Sequence, residues 1–158
     1  PDFLVGTLGK AYGAAGAFVV GPPALRELLV STARSFVYTT GMPEPVAYAA
    51  LAGLRLANDE RRERLATNAS RLRRGLLDLG LPALGSAHNV PVLTGPATMA
   101  VAAQLAEAGI FAPGIRYPTV ARGQERVRLT VCSEHTSEQI DRCVEAMGRA
   151  ARFAAMNA

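Results

Sequence analysis

Of the 17 lysines and arginines in this 158-residue sequence, Lys10 is the only lysine, and it lies in the glycine-flanked stretch "GTLGKAYG". For solubility and net charge the two residue types are roughly interchangeable. As amines they are not, because a guanidinium stays protonated while an ammonium can lose its proton and attack a carbonyl. A short apolar run leads directly into Lys10, the usual way to present a side chain at the end of a sheet where ligands bind. Gly6, Gly9 and Gly13 leave room for a flat ligand to approach the backbone. Held in a partly desolvated cleft, the lysine has its charged form disfavoured, which is what a Schiff-base amine needs. Arg128, in "RVRLTV", alternates with Val127 and Leu129 as on a half-buried strand. Its guanidinium either faces solvent there or grips a carboxylate bidentately. Cys132, His135 and Cys143 are too few and too irregularly spaced for a zinc site, so no metal is expected. His135, just before a helix cap, reads as structural, and His88 as a loop residue.

The elements that must position these groups are legible as an α/β pattern. Phe3–Leu8 reads as a buried strand ending at Gly9, and Ala17–Val20 as a second strand closed by "GPP", the two forming a hairpin around the lysine turn. From Pro22 the spacing of Leu25, Leu28, Leu29 and Thr32 predicts a helix. "SFVYTTGMPEP" reads as extended and irregular, and alanine-rich Val46–Leu56 as a buried helix. Leu65, Ala69, Leu72, Leu76 and Leu79 then follow helical spacing, with Gly80 as the C-cap. Further on come strands near Asn89–Leu93, Ile110–Ala112 and Val127–Cys132. A helix over Ala97–Ala108 ends at Gly109, and a last one runs from about Ser137 to Phe153. Thr136 and Gln139 predict a capping box at its start. Character shifts from apolar to charged around Asn58–Asp59, which places a domain boundary there, with domains 1–57 and 58–158.

Composition narrows the classes. A length of 158 residues and 49% hydrophobic content suit a globular chain with a real core. No apolar run of about twenty residues is present, so no transmembrane helix is expected, and the first residues lack the pattern of a signal peptide. Two cysteines make no disulfide framework; reduced thiols in a cytoplasmic protein are the expectation. The net charge of +4 keeps a small basic nucleic-acid-binding domain as the remote alternative, through Arg61, Arg62, Arg64, Arg71, Arg73 and Arg74. Interleaved Asp59, Glu60 and Glu63 argue against it, so no nucleic-acid or membrane partner is expected.

Three segments together carry a resemblance. "GTLGKAYGAAGAFVVG" is similar to the lysine segment of the α-oxoamine synthases, a branch of the fold-type-I pyridoxal-phosphate enzymes, and "ARSFVYTTGMP" resembles the stretch that follows it. "GIRYPTVARGQERVRLTVCSEHTSEQID" resembles the family's C-terminal signature, in which a proline loop leads into an "R-L-R" strand and then "H-T-x-E-x-I". The three stand in the family's order and span most of the chain; only about Ala57–Ala87 rests on generic helical pattern. The resemblance implies the end of the large-domain sheet over 1–57 and the small α+β domain over 58–158. It implies pyridoxal 5'-phosphate as cofactor and Lys10 as the catalytic lysine that carries it and later moves a proton. Thr7 is then a ligand of the cofactor phosphate, with Thr39 and Thr40 as further phosphate ligands near a neighbouring subunit. Arg128 binds the amino-acid α-carboxylate, while Thr119 and Arg116 meet the acyl substrate. The implied reaction condenses an amino acid with an acyl-CoA or acyl-ACP thioester, with loss of carbon dioxide, in a homodimer.

Two departures qualify the match. Ala121 stands where the family usually has proline. The family's glycine-rich phosphate segment, ring-stacking histidine and pyridine-pairing aspartate lie upstream of the lysine and are not among these 158 residues. The sequence, which opens at Pro1 within a strand pattern, is therefore expected to be the C-terminal portion of such an enzyme, with weak or no catalysis alone. A non-catalytic partner of a longer homologue is the alternative.

Overall fold

The computed structural model describes residues 2–85 and 87–156, so Pro1, on which the expectation of an abrupt start rests, lies outside the described residues. The chain divides into two compact units, Pro1–Asp59 and Glu60–Ala158.

In the first unit, β1 (Leu4–Thr7) and β2 (Ala17–Val20) pair antiparallel with Leu4 opposite Val20 and Thr7 opposite Ala17, the hairpin expected around the lysine. Helix α1 (Pro23–Thr32) begins at a proline, which is tolerated in a first turn because that amide has no helical partner. Two readings are corrected. "SFVYTTGMPEP" is not wholly irregular: α2 (Arg34–Val37) makes one helical turn, closed by the Phe36 and Val37 amides donating to the Ala33 carbonyl. The prolines at 43 and 45 restrict only their immediate predecessors and do not reach that turn. The strands and α3 (Glu44–Leu56) are also not buried. Val5 and Tyr48 are 61% and 71% exposed, and Ala50 is the buried hydrophobic among the unit's described residues. A two-stranded sheet with three helices has too little surface to cover both its own faces.

The second unit has a core of its own. Helix α4 (Asp59–Asp78) leads to β3 (Asn89–Leu93), and α5 (Thr98–Glu107) follows a 3-10 turn at Gly95–Ala97. Then come β4 (Gly114–Ile115), β5 (Arg126–Thr130) and α6 (Ser137–Met156). The strands form an antiparallel sheet in the order β3-β5-β4. Leu72 and Leu76 of α4, Val101 and Leu105 of α5, and Ile140 and Met147 of α6 close over Val90, Val92, Val127 and Leu129. Pro91 is accommodated because the residue opposite it, Arg128, turns its N–H away to the Pro113 carbonyl, at 3.0 Å.

Helix ends follow their sequence signals. Gly80 ends α4 at φ +72°. The Thr136 amide donates to the Gln139 side chain at 2.9 Å, and the Gln139 amide to the Thr136 hydroxyl at 3.3 Å, which completes the capping box. Beside it Arg71 holds Asp141 through two hydrogen bonds of 2.8 and 2.6 Å, and the guanidinium lowers the carboxyl pKa. The strand expected at Ile110–Ala112 is displaced. Gly109, at φ +75°, turns the chain so that the Ile110 amide closes α5 on the Leu105 carbonyl, and pairing with β5 begins only at Pro113. Leu79, though in helical register, is 45% exposed.

Burial pushes the Cys143 thiol up to about 11. A thiol whose folded pKa is raised favours the folded state below its unfolded value, and that contribution is lost as pH rises towards the folded value. Stability of this unit therefore falls between about pH 9 and pH 11, and Cys143→Ser flattens the decline. Denaturant titration at the two ends of that range measures it. At pH 8, alkylation is expected at exposed Cys132 well before Cys143.

Candidate cofactor and substrate site

Lys10 sits in the loop between β1 and β2, and three backbone hydrogen bonds fix that loop. The Leu8 amide donates to the Gly16 carbonyl at 2.9 Å and the Ala14 amide to the Leu8 carbonyl at 2.9 Å; the Gly13 amide donates to Lys10's own carbonyl at 3.0 Å. The last closes a four-residue turn with Lys10 at its first position. Gly13 (φ +62°) and Gly16 (φ +98°) supply the left-handed conformations that the reversal requires.

Two packing contacts place the loop against the rest of its unit. A Cβ at Gly16 would lie 2.5 Å from the Met42 methyl, so the loop abuts the segment after α2. A Cβ at Gly53 would run into the Tyr12 carbonyl oxygen, so the loop backbone rests on α3. Neither contact has a sequence signature; both depend on which glycine meets which backbone. Gly53→Ala is expected to cost about 1–3 kcal/mol, because the neighbour is main chain and must move. A denaturation midpoint and the rate of Lys10 modification by an aldehyde would register the shift together.

Thr7 ends β1, exposed, three residues before Lys10. The Thr39 hydroxyl accepts from the Gly41 amide at 3.4 Å, and Thr40 follows it in an exposed segment. One expectation is corrected: the turn leaves Lys10 exposed, so the desolvation foreseen for it is not supplied by its own loop. No carboxylate stands between Asp2 and Glu27 in sequence, and no ion pair engages Lys10 among the described residues.

Arg128, Arg116 and Thr119 belong to the second unit. Arg128 is exposed on β5 between buried Val127 and Leu129, on the sheet face opposite the helices. Arg116 follows β4, and its carbonyl accepts from the Thr119 amide at 2.9 Å, so the two bracket an exposed turn. Arg122 stacks over the Tyr117 ring at 4.7 Å, a contact that spacing does not announce. At the departure from the family pattern, the Ala121 carbonyl accepts from the Gln124 amide at 3.0 Å. His135 is structural: its Nδ1 accepts from the Cys132 amide at 3.2 Å and its carbonyl from the Asn68 side chain at 2.9 Å. No cluster of three His, Cys, Asp or Glu suited to a metal occurs among the described residues, and no helix there is long and apolar enough to cross a membrane.

An exposed primary amine on a glycine-braced turn, with strand and loop hydroxyls in the same unit, suits an aldehyde-bearing phosphorylated cofactor. The fold agrees. The structure of Sphingomonas wittichii serine palmitoyltransferase superposes with a TM-score of 0.90 at 29% identity, over 98% of this chain and 41% of that one. Serine palmitoyltransferase from S. paucimobilis with a bound PLP–myriocin aldimine gives 0.89 at 28% identity, over 98% of this chain and 41% of that one. The chain thus has the α/β fold of the fold-type-I transferases over the part of their length that it spans.

The sequence is matched over residues 1–147 by the model of the aminotransferase class I and II family, and the chain belongs to that family. It is 44% identical over 154 residues to the 8-amino-7-oxononanoate synthase of Thioalkalivibrio sulfidiphilus (strain HL-EbGR7), an alignment covering 94% of this chain and 39% of that enzyme. The chain spans about two fifths of the length of the curated relatives it matches.

Proposed function

We propose that the chain is the C-terminal portion of an α-oxoamine synthase, acting as an 8-amino-7-oxononanoate synthase of biotin biosynthesis. The substrates are an amino acid, L-alanine, and an acyl-CoA or acyl-ACP thioester. The observation that carries the reading is Lys10 itself: the sequence's only lysine, exposed on a turn held by three backbone hydrogen bonds. The synthase at 44% identity supports the choice within the family.

In this reading Lys10 would hold pyridoxal phosphate through Nζ with the Thr7 hydroxyl donating to its phosphate, and Thr39 and Thr40 would reach the phosphate of the neighbouring subunit's cofactor. The cofactor supplies an electron sink for the amino acid's α-carbon. Once the substrate's amine has displaced it from the cofactor, Lys10 Nζ would take a proton from that carbon and return one later, a task open to an amine and closed to a guanidinium. Arg128 grips the α-carboxylate along one edge of its guanidinium and so fixes the orientation of the scissile bond. Arg116 and Thr119, bracketing their turn, meet the acyl thioester. Residues 1–57 are the end of the large domain and 58–158 the small domain. In this reading the complete enzyme is a cytoplasmic homodimer. Alone, these residues are expected to turn over weakly or not at all.

A chimera tests the proposal: this chain fused after the upstream part of the T. sulfidiphilus enzyme, replacing the segment it aligns with. Carbon dioxide release from L-alanine that depends on an acyl thioester is the expected result. A folded, cofactor-loaded chimera that accepts only another amino acid would overturn the assignment of substrate.

A further inference from the structure

Glu125 has a carboxylate oxygen, Oε2, that is fully buried and has no hydrogen-bond partner. Its backbone is well served: its carbonyl accepts from the Thr94 and Gly95 amides, both at 3.1 Å. The side chain is the anomaly, because an unpaired buried carboxylate oxygen is costly.

The cations near it in sequence are few. Arg126 points to the opposite face of β5 and donates its Nε to the Gln124 carbonyl at 2.8 Å. Arg122 lies over the Tyr117 ring. The Thr94 and Thr98 hydroxyls face each other at 2.6 Å, and Thr98 also donates to the Gly95 carbonyl at 2.7 Å. Arg116 is left. In the β4–β5 ladder Gly114 opposes Val127 and Ile115 opposes Arg126, so the next step sets Arg116 opposite Glu125. Residues opposed in this way place their side chains on the same face, within reach of an ion pair. Arg116 is exposed, and no ion pair joins it to a carboxylate among the described residues.

We propose that Glu125 is a positioning residue for Arg116: a shift of the turn that begins at Arg116 extends the β4–β5 ladder by one step and seats the guanidinium on the buried oxygen. A carboxylate occupies one edge of the guanidinium, and the remaining N–H groups stay free to point outward. Arg116 is then held ready for an anionic group. That last consequence rests on the functional reading above; the ion pair itself does not.

The test needs neither cofactor nor substrate, so failure of the functional reading leaves it intact. Thermal midpoints of the full chain are measured for wild type, E125Q, R116Q and the double variant, and the Arg116 Nε–H resonance, assigned by its loss in R116Q, is followed by NMR. If the pair forms, E125Q lowers the midpoint in wild type, where it breaks the pair. The same change raises it in R116Q, where it removes a stranded charge. The Nε–H signal is slow to exchange in wild type and loses its protection in E125Q. A shift of the same sign and size in both backgrounds, or an Nε–H signal that E125Q leaves unchanged, would overturn the proposal.

Discussion

Lys10→Arg in the chimera is expected to lower turnover by on the order of a thousandfold or more, because proton transfer by a positioned base contributes about 10²–10⁴-fold and covalent capture of the cofactor is lost as well. The substitution keeps the charge and most of the length, so fold and solubility are retained. What it removes is a primary amine that can attack a carbonyl, which a guanidinium does not. The readout is single-turnover chemistry in a variant whose circular dichroism matches that of its parent. Thr7→Ala offers a useful contrast: it removes one phosphate donor, so weaker cofactor binding with a smaller loss of turnover is expected.

The second large effect lies in the core. Leu76→Ala is expected to cost about 2–5 kcal/mol, since the side chain is 0% exposed and the helices and sheet around it cannot all collapse into the gap. For a unit of this size each kcal/mol lowers the midpoint by about 4–8 °C. Leu79, three residues on and in the same helical register, is 45% exposed, so Leu79→Ala is expected to cost about 1 kcal/mol or less. Comparing the two midpoints separates true burial from mere periodicity.

That pair also marks how far the sequence could be read. Helical spacing identified the inner face of α4, but it could not say where that face runs past the end of the sheet it covers. The capping box at Thr136 and the C-cap at Gly80 were legible because each is a local bargain between side chain and backbone, settled within a few residues. Strand β3 was legible at both ends, bounded by loop residues and filled with valines. The apolar strands of the first unit were recognised as strands, and within these residues they are exposed, because burial depends on what lies beyond the hairpin and not on its own composition. The short β4 was misplaced for a related reason: Gly109 ends α5 in a way that takes Ile110 out of the ladder, and only the register with β5 reveals it.

The candidate site divides along the same line. Lys10 stood out by residue type and Arg128 by alternation, while their roles came from the resemblance. The structure adds what holds the lysine loop in place, Gly53 beneath Tyr12 and Met42 against Gly16. Those contacts are long-range meetings of small residues with backbone and side chain, and no single-sequence pattern encodes them.

The most direct measurement is borohydride reduction of the purified chain after incubation with pyridoxal phosphate, followed by mass mapping of the modified peptide. With one lysine in the sequence, the expected result is a visible-absorbing adduct that reduction fixes on Lys10. A folded chain that leaves Lys10 unmodified at saturating cofactor would contradict the claim that this turn presents a reactive amine.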